Sequence, residues 1–435
     1  MLKKVTSILL SSLLLISVLG GCGQSGDSTP DSTGGAANSN TGKQVTLTLY
    51  CNAVVKNDTP DIIAKFEEAN PNIKVNYVEL PADATQKNQT LSTILQAKDA
   101  SMDLFLMDTT WPQSYQAAGW LEPLDDVMTD QDKDQFLPGP LQANQIGGKQ
   151  YALPVFMDTG ILIYRKDLLD KYNFQAPKTW DELAEQSKKI MASEPTIKSG
   201  FVGAWKQYEG LTCGALEFVW GYGGEVLDKS GNVVLNSKET AAGLQRMYDL
   251  TYKDKITDAG INGYAFPDAG AVFNSGSSVF FRAWPSNYAS ANDTQNSQVA
   301  GKVAFAPLPA GPAGSYNTLG GWSIAVSNFS AHKAEAKKFV KFFTNADSNK
   351  IRAMAGGNLP VAKSVYDDKD ILEKHPEFKE LLECAKNVKE RPKTSSYAEL
   401  SGVIQQGVSS ILSNGMTVQE AIDSMEPQIK EIINK

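Results

Sequence analysis

Three tryptophans and three carboxylates are the side chains whose types and placement best suit chemistry. Trp111, Trp284 and Trp322 each follow an apolar strand-like run or a glycine pair and sit beside polar residues. Asp108, Asp158 and Glu209 lie at strand ends or turns. An indole offers a flat apolar face, and a carboxylate accepts hydrogen bonds from two neighbouring hydroxyls. Together they suit a polyhydroxylated ring, with apolar burial on its face and charge-assisted hydrogen bonds at its rim. A lone tryptophan is more often core than platform; three at loop-like positions shift that balance.

Other chemistries compete for the same residues. Two carboxylates at a defined separation, one with a raised pKa, could make a glycosidase. The carboxylates and rings could instead hold a charged small solute through ion pairing and cation–π contact. Transition-metal catalysis and a Ser-His-Asp triad are disfavoured, because the two histidines, His332 and His375, stand far apart with no nucleophile-elbow pattern to serve. Asp130, Asp132 and Asp134 have calcium-loop spacing, yet Gln135 and Leu141 occupy the positions that need glycine and glutamate. No metal or cofactor is therefore expected.

The elements that must position these residues read as an α/β chain. Val45 to Tyr50 alternates as a strand does, and Thr59-Pro60 opens a helix with Ile62, Ile63, Phe66 and Ala69 on one face. Ile73 to Leu80 reads as a strand and Thr85 to Ala97 as a helix. Met102 to Met107, ending in Asp108, fits a parallel strand buried on both faces. Such sheets bind ligands beyond the carboxyl ends of their strands, where Asp108 and Cys51-Asn52 fall. Further strands are expected at Gly160 to Tyr164, at Asn232 to Asn236 in a hairpin, at Ser277 to Arg282, at Lys302 to Ala306 and at Ser323 to Val326. Helices are expected over Ser330 to Thr344 and from Glu377 onward.

The N-terminus fixes the compartment. Lys3 and Lys4, an apolar run from Ile8 to Leu19 and the small pair Gly20-Gly21 form an export signal over residues 1–21. The run is too short for a span of about 20 residues. Leu19-Gly20-Gly21-Cys22 resembles a bacterial lipobox, which implies a lipid on Cys22 and a membrane anchor. Residues 22–44 then read as a polar tether with a reach of roughly 25 Å. Net charge is −8 without a basic block, which disfavours nucleic acid. Cys51, Cys213 and Cys384 remain, enough for one disulfide at most.

Several blocks in order carry a family resemblance. They are Asp103 to Trp111, Gly119 to Asp126, Gly148 to Asp158, Tyr164 to Leu169, Lys206 to Gly210, Phe281 to Pro285 and Leu319 to Trp322. The chain resembles the family 1 extracellular solute-binding proteins of bacterial ABC importers, in its trehalose/maltose-binding branch. The resemblance implies a two-lobed α/β fold of periplasmic-binding-protein type II, with the ligand cleft between lobes. One lobe would hold 45–156 and about 312–360, the other about 157–311 and 361–435. Crossings are expected near Val155 to Gly160, Leu308 to Ser315 and Leu359 to Lys363. Ligand contacts would come from Asp108, Trp111, Asp158, Phe156, Glu209, Trp284, Gly321 and Trp322. The family's tyrosine is Phe156 here, and its arginine after an Asn-Pro turn is missing, with Lys363 nearby; Asp58 is the candidate counterpart of its N-terminal glutamate. The function implied is not enzymatic: a monomer, lipid-anchored outside the cell membrane, captures a disaccharide or short oligosaccharide and passes it to ABC permease transmembrane subunits.

Overall fold

The computed structural model describes residues 44–434 apart from 53, 54, 56 and 82; Cys22, the export signal and most of the tether lie outside the described residues. Twelve strands are described: β1 (Val45–Cys51), β2 (Ile73–Glu79), β3 (Leu104–Asp108), β4 (Gln145–Ile146), β5 (Lys149–Gln150), β6 (Leu153–Thr159), β7 (Ile161–Arg165), β8 (Ser199–Val202), β9 (Ser278–Ala283), β10 (Val303–Ala306), β11 (Asn317–Val326) and β12 (Val388–Lys389). β1, β2 and β3 pair in parallel, joined through helices Thr59–Ala69 and Ala84–Gln96. β11 runs antiparallel between β3 and β6. The second sheet has the order β10-β7-β9-β8. The two sheets are the two lobes of a type II fold.

Burial explains the strand readings. Every residue of β3, β6 and β11 is buried, so these strands tolerate little besides apolar, small or functional side chains. β6 passes into β7 through Gly160 and thereby joins the two sheets. A Cβ at Gly160 would lie 2.3 Å from the Glu217 carboxylate and 2.8 Å from the Arg282 guanidinium, so a larger residue there would have to displace that ion pair. The second passage lies between β10 and β11. Leu359 to Lys363 instead stays on first-lobe elements: Leu359 O accepts from Met157 N, Val361 O from Leu137 N, and Lys363 N donates to Gln135 O. The chain reaches the second lobe's helix Tyr397–Leu412 only after β12, later than the crossing expected at 359–363.

Two local expectations are corrected. Thr59 does not cap its helix; its hydroxyl is buried without a partner, and the chain enters through Asp58, whose carboxylate pairs with Arg352 at 3.0 Å. Asn232 to Asn236 forms no strand, only a bridge between Leu227 and Val233. Asp228 accepts from the backbone amides of Ser230 and Asn232, which competes with a longer ladder. Cys51, Cys213 and Cys384 are free and buried, and burial pushes each thiol up to about 12.

Candidate functional site

β11 is the spine of the site. Its register sets Trp322 opposite Asp108 on β3 and Gly320 opposite Asp158 on β6. Two carboxylates thus flank one strand two residues apart. Gly321, between them, has φ 124°, and a Cβ there would lie 2.5 Å from Phe156 O. Glycine is required for the close approach of β11 to β6 at this point.

Asp158 is buried, with one carboxylate oxygen lacking any partner. Desolvation raises its pKa to about 8; Arg282 acts to lower it and Asp108 to raise it further. Beside it stands Trp284. A Cβ on Gly320 would lie 3.0 Å from Asp158 Cβ and 3.2 Å from the Trp284 ring, so the bare glycine leaves room where carboxylate and indole meet. Trp284 follows β9 and caps helix Pro285–Ala291, its backbone N–H donating to Asn287 Oδ1 at 3.0 Å. The Arg282 guanidinium sits 4.1 Å from the Trp284 ring centre, and Phe266 packs at 5.5 Å. Arg282 is itself held by Glu217, which also accepts from Thr318 N at the start of β11. The indole is therefore braced, yet only half-buried.

Around Asp108 the arrangement is ionic. Its Oδ1 accepts from Thr110 N and Oγ1 and from Arg391 Nη2 at 2.8 Å. Arg391 is almost wholly buried, and its Nη1 bonds Glu209 at 2.6 Å. Burial works to lower the Arg391 pKa, but Asp108 foremost raises it, and the net shift is upward; the guanidinium stays charged. Glu209 also accepts from Tyr397 Oη at 2.5 Å and Ser401 Oγ at 2.7 Å. A cavity of about 270 Å³ opens between helices Ala84–Gln96 and Tyr397–Leu412, with Trp111, Glu209 and Gln405 on its walls. Lys87 Nζ lies 4.5 Å from the Trp322 ring centre; burial drives its pKa down to about 8 against the pull of Asp108 and Asp83.

Asp108, Trp322, Gly321 and Phe156 thus meet along β11, with Asp158 and Trp284 adjoining. Phe156 is fully buried opposite Trp322. Trp111 stacks on Tyr115 at 5.8 Å and meets Trp322 edge-on at 5.4 Å, so most of its surface is packed away. Asp58 is occupied by Arg352, and Lys363 Nζ by Asp134 O at 2.8 Å. Arg391, Lys87, Tyr397 and Ser401 are additions that sequence reasoning missed. A faint signal for Arg391 was a charged residue beside Pro392 in a connection between elements. Among the described residues no group of three or more His, Cys, Asp or Glu side chains could hold a metal ion.

Residues 53–350 match the model of the bacterial extracellular solute-binding proteins. The chain belongs to that family. A probable ABC transporter-binding protein of Deinococcus radiodurans is 35% identical over 367 residues, which are 82% of this chain and 86% of the relative. The solved structure of maltose-bound MalE3 of T. maritima is 38% identical with a TM-score of 0.85, and the match covers 89% of this chain and 100% of that one. A mannitol-binding protein of Pseudomonas aeruginosa is 27% identical over 68% of each chain. This solute-binding protein therefore serves an ABC transporter outside the cytoplasm and is not an enzyme.

Proposed function

We propose that the protein is a lipid-anchored binding protein that captures a disaccharide or short oligosaccharide of the maltose or trehalose kind and delivers it to an ABC permease. The observation that carries this reading is the junction of Asp158 and Trp284 across the bare Gly320. A sugar ring stacked on the indole would bring a hydroxyl to the unpartnered Asp158 oxygen. Asp108 spends its three hydrogen bonds on Oδ1, which leaves Oδ2 as an acceptor for a second hydroxyl. The likeness to the maltose-bound structure supports the same ligand class. A cationic solute is less well served, because Arg391 already neutralises Asp108 and burial favours a protonated Asp158. Lipidation would be on Cys22, and the ligand set is Asp108, Asp158, Trp284, Gly321 and Trp322, with Phe156, Trp111 and Glu209 around it.

Calorimetry of the soluble domain with maltose, trehalose and mannitol tests this. Binding heat with maltose or trehalose and no released monosaccharide is the expected result. Turnover, or binding of mannitol alone, overturns the disaccharide assignment.

A further inference from the structure

We infer that Glu209 is a positioning residue: braced on the second lobe by Tyr397 and Ser401, it holds Arg391, whose guanidinium also sits on Asp108 of the first lobe, so that the arginine acts as an interlobe latch in the closed form. The inference rests on the binding-protein reading and goes beyond it, since it makes one carboxylate of the site act on the ligand only through an arginine.

The geometry leaves Glu209 little else to do. Oε1 accepts from Arg391 Nη1 and from Tyr397 Oη, and Oε2 accepts from Ser401 Oγ. Tyr397 and Ser401 are one helical turn apart on helix Tyr397–Leu412, so both present to the same side. Ser401 is held in turn by Thr212 at 2.9 Å and Gln405 at 3.0 Å. Three of the four acceptor positions of Glu209 are thus taken, which leaves a sugar hydroxyl only the second position on Oε2. On the other side of the guanidinium, Arg391 Nη2 reaches Asp108 at 2.8 Å and Thr109 Oγ1 at 3.3 Å, both at the end of β3. One planar, rigid side chain therefore spans two carboxylates that belong to different lobes. Arginine suits this, because its fork fixes the direction of both bonds at once. Opening the lobes would have to part Arg391 from either Asp108 or Glu209. Whatever favours the closed form raises the apparent affinity of a ligand that binds between the lobes.

A double-mutant cycle of Glu209→Gln and Arg391→Gln, read by maltose calorimetry, tests the inference. Each single change should weaken maltose binding about tenfold or more, as loss of a buried charge-assisted bond does. The double variant should be no weaker than the worse single one, because Glu209 acts only through Arg391. Multiplying losses would overturn the inference, since Glu209 would then touch the sugar itself. So would a Glu209→Gln affinity within about twofold of wild type. If Glu209→Gln fails to fold, Tyr397→Phe removes a single hydroxyl; its loss of about threefold should vanish in the Arg391→Gln background. Small-angle scattering of the sugar-free protein supplies an arm independent of the ligand. Both singles should have a larger radius of gyration than wild type, and equal radii overturn the latch. Should wild type bind no maltose, the disaccharide assignment falls while the scattering arm still decides the latch.

Discussion

Trp111 and Trp284 look alike in the sequence, each placed just beyond an apolar strand and each followed by proline, yet they live differently. Trp111 begins the short helix Pro112–Ala117 and is enclosed by Tyr115 and Trp322, with only 5% of its surface exposed. Trp284 is braced by Arg282 and Phe266 yet stays half-buried beside an unpartnered carboxylate. The difference teaches that a tryptophan at a strand end is free to offer a platform only when its neighbours leave part of the ring uncovered. What covers Trp111 is an aromatic residue on its own helix; what braces Trp284 is a cation held from below.

Truncating each ring should separate the two roles. Trp111→Ala should cost about 3–5 kcal/mol of folding stability. Trp284→Ala should instead cost about 2–4 kcal/mol of sugar binding, with a smaller drop in melting temperature. Melting temperature and affinity measured on both variants decide the matter, and exchanged outcomes would break the comparison.

Adjacent glycines sharpen it. Gly321→Ala puts a Cβ against Phe156 O at positive φ and should destabilise by about 2–4 kcal/mol. Gly320→Ala crowds Asp158 and Trp284 without a backbone clash of that kind. It should narrow the site and weaken sugar binding while the fold persists. Denaturant unfolding beside calorimetry would check the pair; equal stabilities would show that the strand contact at Gly321 can relax.

The last prediction concerns pH. Asp158 is raised in the fold from 3.8 to about 8, so the native state holds a proton that the unfolded chain has lost. Its contribution to stability is therefore fully present at low pH and declines as pH rises from about 4 to about 8. Asp158→Asn should remove that slope, so the difference in melting temperature between the two proteins should change steadily with pH across the window. A difference that stays constant with pH would mean the carboxyl is ionised throughout.

Much of this site was legible because strand rules reach it. The apolar run before Asp108 marks a strand buried on both faces, and ligands gather at such carboxyl ends. Pro285 after Trp284 marks the turn that holds the indole. Arg391 was not legible, because its partners stand 283 and 182 residues away and no local period points to them. Lys87 read as one more polar position on an exposed helix; only the packing of that helix over Trp322 buries it. Thr59 satisfied a capping pattern, yet burial of the chain entry beside Arg352 set its conformation. The third passage between lobes was placed early because Leu359 to Lys363 has the composition of a linker while its backbone is bonded to first-lobe partners.

The three unpaired thiols bear on how such a protein survives outside the cell. An oxidising compartment favours disulfides. Oxidants and other thiols attack the ionised sulfur, and a thiol held near 12 offers almost none of it at neutral pH. Cys51 ends a strand of the first sheet, Cys213 lies inside a helix of the second lobe, and Cys384 closes helix Glu377–Cys384. Oxidative cross-linking is thus restrained by the fold itself, at three separate places, and that protection lasts only while each place stays packed.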